Sequence, residues 1–338
     1  MSTSGRPNVG QVAYAKSLLC CIALATLLAV SSSPAAPQEK KKSRSENPTQ
    51  TASAPDQQQD DEPLRLHSDM VVLNVTVTDS KGQYARGLKK EDFKVTENDS
   101  AQPVNSFSAE EAPFAAAILI DMSGSMGYKF SLVRAAAASF IDHIRDNDQV
   151  AVYGFNNKVR LIQEFSDSHD ISDYIWDAKA EDSTRLYDCI DEAIEALTQR
   201  PEKRRAVLMI SDGWDSSSRK ASFDSVIKKA LSAGVTIHTL DLIEDSALTG
   251  SEAFPLRRGR GEMKTFAEQT GGRYVHSPQG DTLETEFNGL VDELRNQYTL
   301  TYYSTNHKRD GRWRKLNVSV SRQGMFIRSR RGYWAPKS

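Results

Sequence analysis

Cysteine is nearly missing from this chain. Of 338 residues only three are cysteine, and two of them, Cys20 and Cys21, stand in an apolar leader. Removal of that leader leaves Cys189 alone, which excludes an intrachain disulfide in the processed form. Its surroundings, LYDCIDEAIEAL, have helical periodicity, and a lone cysteine on an apolar helix face is a small buried hydrophobe. An excess of charge of one sign is missing too: the formal net charge is −2, whereas nucleic-acid binders carry a strongly basic domain or stripe. The basic residues between Lys308 and Arg331 alternate along strand-like sequence and read as a solvated face. The histidines (67, 143, 169, 238, 276 and 307) have neither zinc-site spacing nor a triad partner. Ser123 is not a nucleophile elbow, because Asp121 stands where the first glycine of G-x-S-x-G belongs. Finally, no apolar run reaches the ~20 residues of a spanning helix.

The longest such run has another reading. Arg6 and Lys16 precede it as a basic region, residues 17–30 form an apolar core of about 14, and Ser33-Pro34-Ala35 offers small residues for cleavage. Residues 1–35 are therefore expected to be a signal peptide. The mature chain would be secreted, or placed in the periplasm or cell envelope, with no stable membrane span. Residues 36–63 follow as an expected disordered linker. Between 37 and 62 there is no Val, Ile, Leu, Phe, Met, Tyr or Trp to offset the entropy of ordering.

The remainder is long enough to bury a sizeable core. Residues 64–110 read as an N-terminal β segment, with strands at 70–78, 92–97 and 102–107. Between 113 and 296 strands alternate with helices. Strands are expected at 114–120, 149–155, 158–165, 206–211, 235–240 and 272–275, and helices at 131–145, 186–199, 221–233, 262–269 and 281–295. This pattern implies an α/β domain with a mainly parallel central sheet wrapped by helices. Residues 297–338 return to β, with strands at 297–304, 313–321 and 325–330. Neither flank closes a core alone, so three strands from each side are expected to combine into a split β-sandwich that the α/β domain interrupts.

In an open parallel sheet, ligands sit beyond the carboxyl ends of the strands. ILIDMSGSMG carries Asp121, Ser123 and Ser125 to such an end, and VLMISDGWDS does the same for Asp212. A third strand-to-helix region, EDSTRLYDCIDEA, supplies Thr184. These five residues offer only hard oxygen donors. They suit a divalent cation of the Mg²⁺, Mn²⁺ or Ca²⁺ kind, with Mg²⁺ preferred, rather than zinc or copper. Taken singly, Asp and Ser at such places cap helix N-termini; the set together points to a site.

DMSGS, the threonine before Leu-Tyr-Asp, and SDG, in that order, resemble the metal-ion-dependent adhesion site of the von Willebrand factor type A domain. The resemblance covers roughly residues 113–296. The flanks VVLNVTVTDSKGQYARGLKKEDFKVTEND and YTLTYYSTNHKRDGRWRKLNVSVSRQGMFIRSRRGYWAP are similar to those of secreted acidobacterial-type relatives of that family. The resemblance implies a Rossmann-like fold with the metal bound directly by Ser123 and Ser125. Thr184 would bind in one conformational state, and Asp121 and Asp212 often through water. It also implies a protein partner whose Glu or Asp completes the sphere. The sequence departs from the family at Met122, Asp182 and Ser183.

The connection 242–261 is long for a strand-to-helix loop, where about 2–6 residues are usual. It is expected on the same edge, where Arg257, Arg258 and Arg260 would steer an acidic ligand. Trp214 and Asp215 would join them on a partner-binding rim. The expected function is a cation-dependent, adhesion-type protein-binding module, not an enzyme. The competing readings are an envelope scaffold with a structural metal and, less favoured, a one-metal hydrolase.

Overall fold

The computed structural model describes residues 70–109, 111–169, 183–251, 253–276 and 281–337. The expected signal peptide and linker, and Asp182, lie outside them.

Four short strands come first: β1 (Met70–Thr78), β2 (Phe93–Glu97), β3 (Ser100–Gln102) and β4 (Ser106–Ser108). β2 and β3 form a hairpin in which Glu97 faces Ser100. Its two turn residues, Asn98 and Asp99, take φ of 47° and 66°, a region that Asn and Asp tolerate better than other side chains. The single strand expected at 102–107 is in fact two. Pro103 follows β3, has no N–H for a ladder and ends the pairing, and β4 joins a different sheet.

The α/β domain then runs β5 (Phe114–Asp121), α1 (Phe130–Asp142), β6 (Gln149–Phe155), β7 (Val159–Ser166), α2 (Leu186–Thr198) and β8 (Arg204–Ser211). It continues with α3 (Phe223–Ala233), β9 (Thr236–Asp241), α4 (Phe254–Thr270), β10 (Tyr274–His276) and α5 (Asp281–Arg295). The sheet order is β10-β9-β8-β5-β6-β7. All neighbours are parallel except β7, which folds back antiparallel on β6. Every residue of β5 is buried, because both faces are covered. Ala116, Ile118 and Ile120 pack among residues of α1 and α5, such as Phe140 and Phe287. Ala115, Ala117 and Leu119 pack among residues of α2, α3 and α4, such as Ile190, Val226 and Phe266. An unbroken apolar run is what a central parallel strand requires.

α4 corrects the expected long loop. It begins at Phe254, with Pro255 in its first turn, where a missing N–H costs nothing. Residues 254–261 are therefore helix, despite two glycines in RRGRG that lower helix propensity. Gly259 has a packing reason: a Cβ there would lie 2.8 Å from the carbonyl oxygen of Asp212 and 2.8 Å from the carbonyl carbon of Gly213.

The chain ends in β11 (Tyr298–Tyr303), β12 (Trp313–Val320), β13 (Phe326–Arg328) and β14 (Gly332–Trp334). Two four-stranded sheets result, β13-β1-β11-β4 and β14-β12-β2-β3. Each mixes strands from both flanks, and Leu73, Val75, Phe93, Leu300, Tyr302 and Leu316 share one core. The split β-sandwich is present, built from four strands per flank rather than three. Buried Glu97 helps join the sheets by accepting from Tyr302 (2.9 Å), Tyr333 (2.9 Å) and Ser304 (2.8 Å).

Arg204 fastens the chain where it enters and leaves the α/β domain. Buried at the start of β8, it donates to the carbonyls of Ala112 (3.3 Å), Arg295 (2.7 Å) and Gln297 (2.6 Å). This crossing lies at the amino ends of β5 and β8, where Phe114 pairs with Arg204. The carboxyl ends, at the opposite edge, are left free for a site. Among the described residues no helix is long and apolar enough to cross a membrane.

Candidate functional site

β5 and β8 are neighbours in register, Ile120 facing Ile210, so their ends bring Asp121 and Ser211 side by side. Ser211 Oγ donates to Asp121 Oδ2 over 2.5 Å and accepts from the N–H of Gly213 at 2.8 Å. The other oxygen of Asp121 accepts from the N–H of Ser123 at 2.9 Å. Beyond the strands, Ser125 Oγ donates to Asp212 Oδ2 at 2.6 Å. Ser123 Oγ lies 3.0 Å from Ser125 Oγ. A hydroxyl has one proton, so with that of Ser125 given to Asp212, Ser123 is the donor to Ser125. Four of the five predicted residues thus form one connected cluster.

Thr184, the fifth, is tied by its backbone to the loop that follows Asp212, and among the described residues it makes no hydrogen bond to the other four. Its N–H donates to Ser216 Oγ at 2.9 Å, and its carbonyl accepts from the N–H groups of Ser216 and Ser217, both at 3.0 Å. The threonine, itself buried, is therefore clamped to the loop that carries Asp212.

Electrostatically the site is short of positive charge. Asp121 is fully buried and Asp212 nearly so. Burial, followed by the charge of Asp212, pushes the Asp121 carboxyl up to about 7, against the hydrogen bonds from Ser211 and Ser123. Among the described residues neither carboxylate is paired with Lys or Arg. Two crowded carboxylates with adjacent hydroxyl oxygens, Ser125 exposed to solvent, make a donor set that fits a hard divalent cation. The residues that could hold it are Asp121, Ser123, Ser125 and Asp212, with Thr184 on the neighbouring loop.

The residues expected on the rim are placed as follows. Trp214 is half-buried, and its backbone N–H donates to Asp212 Oδ1 at 3.2 Å. Asp215 turns inward: it accepts from Ser218 Oγ at 2.5 Å and from the N–H of Tyr187, in the first turn of α2, at 3.3 Å. Burial raises its carboxyl above the usual range. All three arginines lie on α4 rather than in a loop. Arg257 donates to the carbonyls of Leu248 (3.0 Å) and Gly250 (2.9 Å). Arg258 pairs with Glu262 at 2.8 Å. Arg260 pairs with Asp241 and Asp245, each at 2.7 Å.

Sequence reasoning missed Ser211 and Asp241. A serine ending a strand is unremarkable by itself, and only its register beside Asp121 gives it a role. Asp241 ends β9 as Asp121 ends β5, and that position was a usable signal. It is buried and held by Arg260, Tyr274 Oη (2.7 Å) and the N–H of Ile243 (2.8 Å).

The family model of the von Willebrand factor type A domain matches residues 116–214. That stretch holds all five predicted ligands and is similar to a von Willebrand factor type A domain. No curated protein matches the chain in sequence. Among solved structures, a von Willebrand factor type A protein from Catenulispora acidiphila is 12% identical, with 77% of this chain and 71% of that one covered, at a TM-score of 0.47. BatB from Bacteroides thetaiotaomicron is 15% identical over 54% of this chain and 98% of its own, at 0.42. The pilus adhesin SpaC from Lactobacillus rhamnosus GG is 12% identical over 76% of this chain and 49% of its own, at 0.43.

Proposed function

We propose that the chain is an exported, adhesion-type binding module in which a divalent cation, Mg²⁺ by preference, is held by Asp121, Ser123, Ser125, Thr184 and Asp212 and engages an acidic side chain of a protein partner. The observation that carries this reading is the carboxylate pair Asp121 and Asp212, linked by serine hydroxyls and without a Lys or Arg counter-charge among the described residues. When bound, the cation supplies an electrophilic position at which a carboxylate can dock. The chain's own residues do the rest. Ser211 and the Ser123 N–H keep Asp121 aimed toward the site, and Gly213 lets the loop after β8 turn at φ 73°. The backbone of Thr184 holds two loops at one spacing. Trp214 and the exposed Arg257 and Arg258 of α4 would form the rim.

Calorimetric titration of the mature chain with Mg²⁺ and Mn²⁺ tests the site. It should show one saturable event that Asp121→Ala abolishes. Retention of carboxylate-bearing protein on the immobilised chain, in Mg²⁺ against EDTA, then tests the function. Cation binding without any gain of an external ligand would leave the scaffold reading, and cation-dependent turnover would make the protein an enzyme.

A further inference from the structure

A second cavity lies away from the cation edge, where the start of β1, the helix α3 and the last strand β14 meet. Its volume is about 420 Å³, and its walls include Met70, Lys228, Arg330, Tyr333, Trp334 and Lys337. Two properties of this wall are unusual together. The aromatic rings are half-buried or buried, and Trp334 is held edge-on against Trp313 with centroids 4.5 Å apart. Beside the hydroxyls of Ser232 and Tyr333, every charged group of the wall is cationic.

Arg330 is the informative one. It is buried, yet among the described residues it pairs with no carboxylate. It donates to the carbonyls of Leu231 and Val72, the latter at 2.8 Å, and its Nε has no hydrogen-bond partner. Burial, opposed by Tyr302 and Tyr333 and joined by the neighbouring Arg205, lowers its guanidinium to about 10. Buried charges are ordinarily paired, and here the pairing is incomplete. Lys228 extends over the Trp334 ring at 6.0 Å, and the stem of Lys337 packs against Gly311, whose Cβ would lie 2.6 Å from it. Two acids adjoin this wall and both are engaged elsewhere: Asp310 with Arg314 at 3.0 Å, and Glu97 as acceptor from Tyr333 and Tyr302, each at 2.9 Å. Neither lysine is in a salt bridge among the described residues.

We propose that this cavity binds a small organic anion, its carboxylate or phosphate set among Arg330, Lys228 and Lys337 and its apolar body against Trp334 and Tyr333. A guanidinium and two ammonium groups converging on one pocket favour an anion by direct charge-assisted bonding. Aromatic walls select against a fully hydrated inorganic one. The site is independent of the cation edge and of any partner bound there.

The test is calorimetric titration of the full chain with phenyl phosphate, phenylacetate and inorganic phosphate, in EDTA so that the cation edge is silent. Saturable binding of at least one of the two aromatic anions is expected, at least about tenfold tighter than inorganic phosphate, and weakening as salt is raised. The difference between phenyl phosphate and phenylacetate tells which head group the cations prefer. Arg330→Gln risks the fold, because two backbone carbonyls lose their donor. The double variant Lys228→Ala, Lys337→Ala, both on the surface, carries the test instead. It should weaken the aromatic anion about tenfold or more while leaving thermal unfolding of the free chain unchanged. No saturable binding by either aromatic anion, equal affinity for inorganic phosphate, or full affinity in the double variant would each overturn the assignment.

Discussion

Ser211 donates its hydroxyl proton to Asp121 across 2.5 Å, tying the ends of two adjacent parallel strands. The same oxygen accepts from the N–H of Gly213, so one hydroxyl holds both the carboxylate and the turn that leads away from Asp212. Ser211→Ala therefore removes a bond to a buried acid and strands a buried N–H. The expected loss is about 2–3 kcal/mol, the usual scale for a hydrogen bond to a charged group. Urea unfolding of the two chains side by side measures it; a change within error would mean that Asp121 finds another donor.

The proposed cation should compete with a proton. Asp121 holds its proton up to about 7 in the fold, through burial first and the charge of Asp212 second, whereas an unfolded aspartate releases it near 4. Without a cation, that difference favours the fold at low pH and is lost as pH rises through about 7. With Mg²⁺ present the dependence should reverse at the site, because ligands must be deprotonated to bind. Affinity is expected to fall about tenfold for each pH unit below 7. Calorimetry between pH 5.5 and 8.5 would show it, and an affinity flat across that range would remove Asp121 from the ligand set.

Gly259 and Gly261 are two residues apart on α4 and predict opposite outcomes. A Cβ on Gly259 would meet the Asp212 carbonyl at 2.8 Å, while one on Gly261 meets nothing within 4 Å. Gly259→Ala should cost about 2–3 kcal/mol, as overpacking does, and should loosen cation binding by shifting the Asp212 loop. Gly261→Ala should stabilise the chain by up to about 1 kcal/mol through helix propensity alone. Thermal unfolding of both variants checks the pair, and equal effects would contradict the close approach.

These glycines also mark where the sequence stopped being legible. The run ending at Asp121 could be read because burial on both faces and an abrupt acid are local properties, visible without knowing any neighbour. DMSGS and SDG were legible as a candidate site for the same reason: each stretch carries its own donors. The first half of α4 was not. Its glycines look like a loop, and what makes Gly259 necessary is the carbonyl of Asp212, in the loop after β8. Ser211 was equally hidden, since its function comes from register with β5 and not from its own surroundings. β14 has three residues, too few to show a period of two, and Pro103 divides the run at 102–107 between β3 and β4. Thr184 was found by its neighbours Leu-Tyr-Asp, yet its attachment to Ser216 is made by backbone, which no side-chain pattern records.

A buried histidine supplies the last test. His238, on β9, is fully buried, and its Nδ1 accepts from the N–H of Arg273 at 3.1 Å. Nδ1 is thus engaged as an acceptor and the proton belongs on Nε2, which has no partner. Glu293 lies 4.0 Å from Nδ1, but its carboxylate is already bonded to Arg328 and accepts from Thr76 at 3.4 Å. Burial dominates, and the imidazole is depressed to about 4. An unfolded histidine titrates near 6.5, so between about 6.5 and 4 the unfolded chain takes up a proton that the fold refuses. His238 therefore contributes stability that is complete above about 6.5 and is lost as pH falls toward 4, by at most about 3 kcal/mol. Carboxylates titrate in the same range, so the comparison must be with His238→Asn, whose amide oxygen can take the Arg273 N–H without titrating. Urea unfolding at several pH values from 7.5 to 4.5 should give a parent curve that falls more steeply than the variant's. Parallel curves would show that the imidazole takes up its proton as readily in the fold as in the unfolded chain.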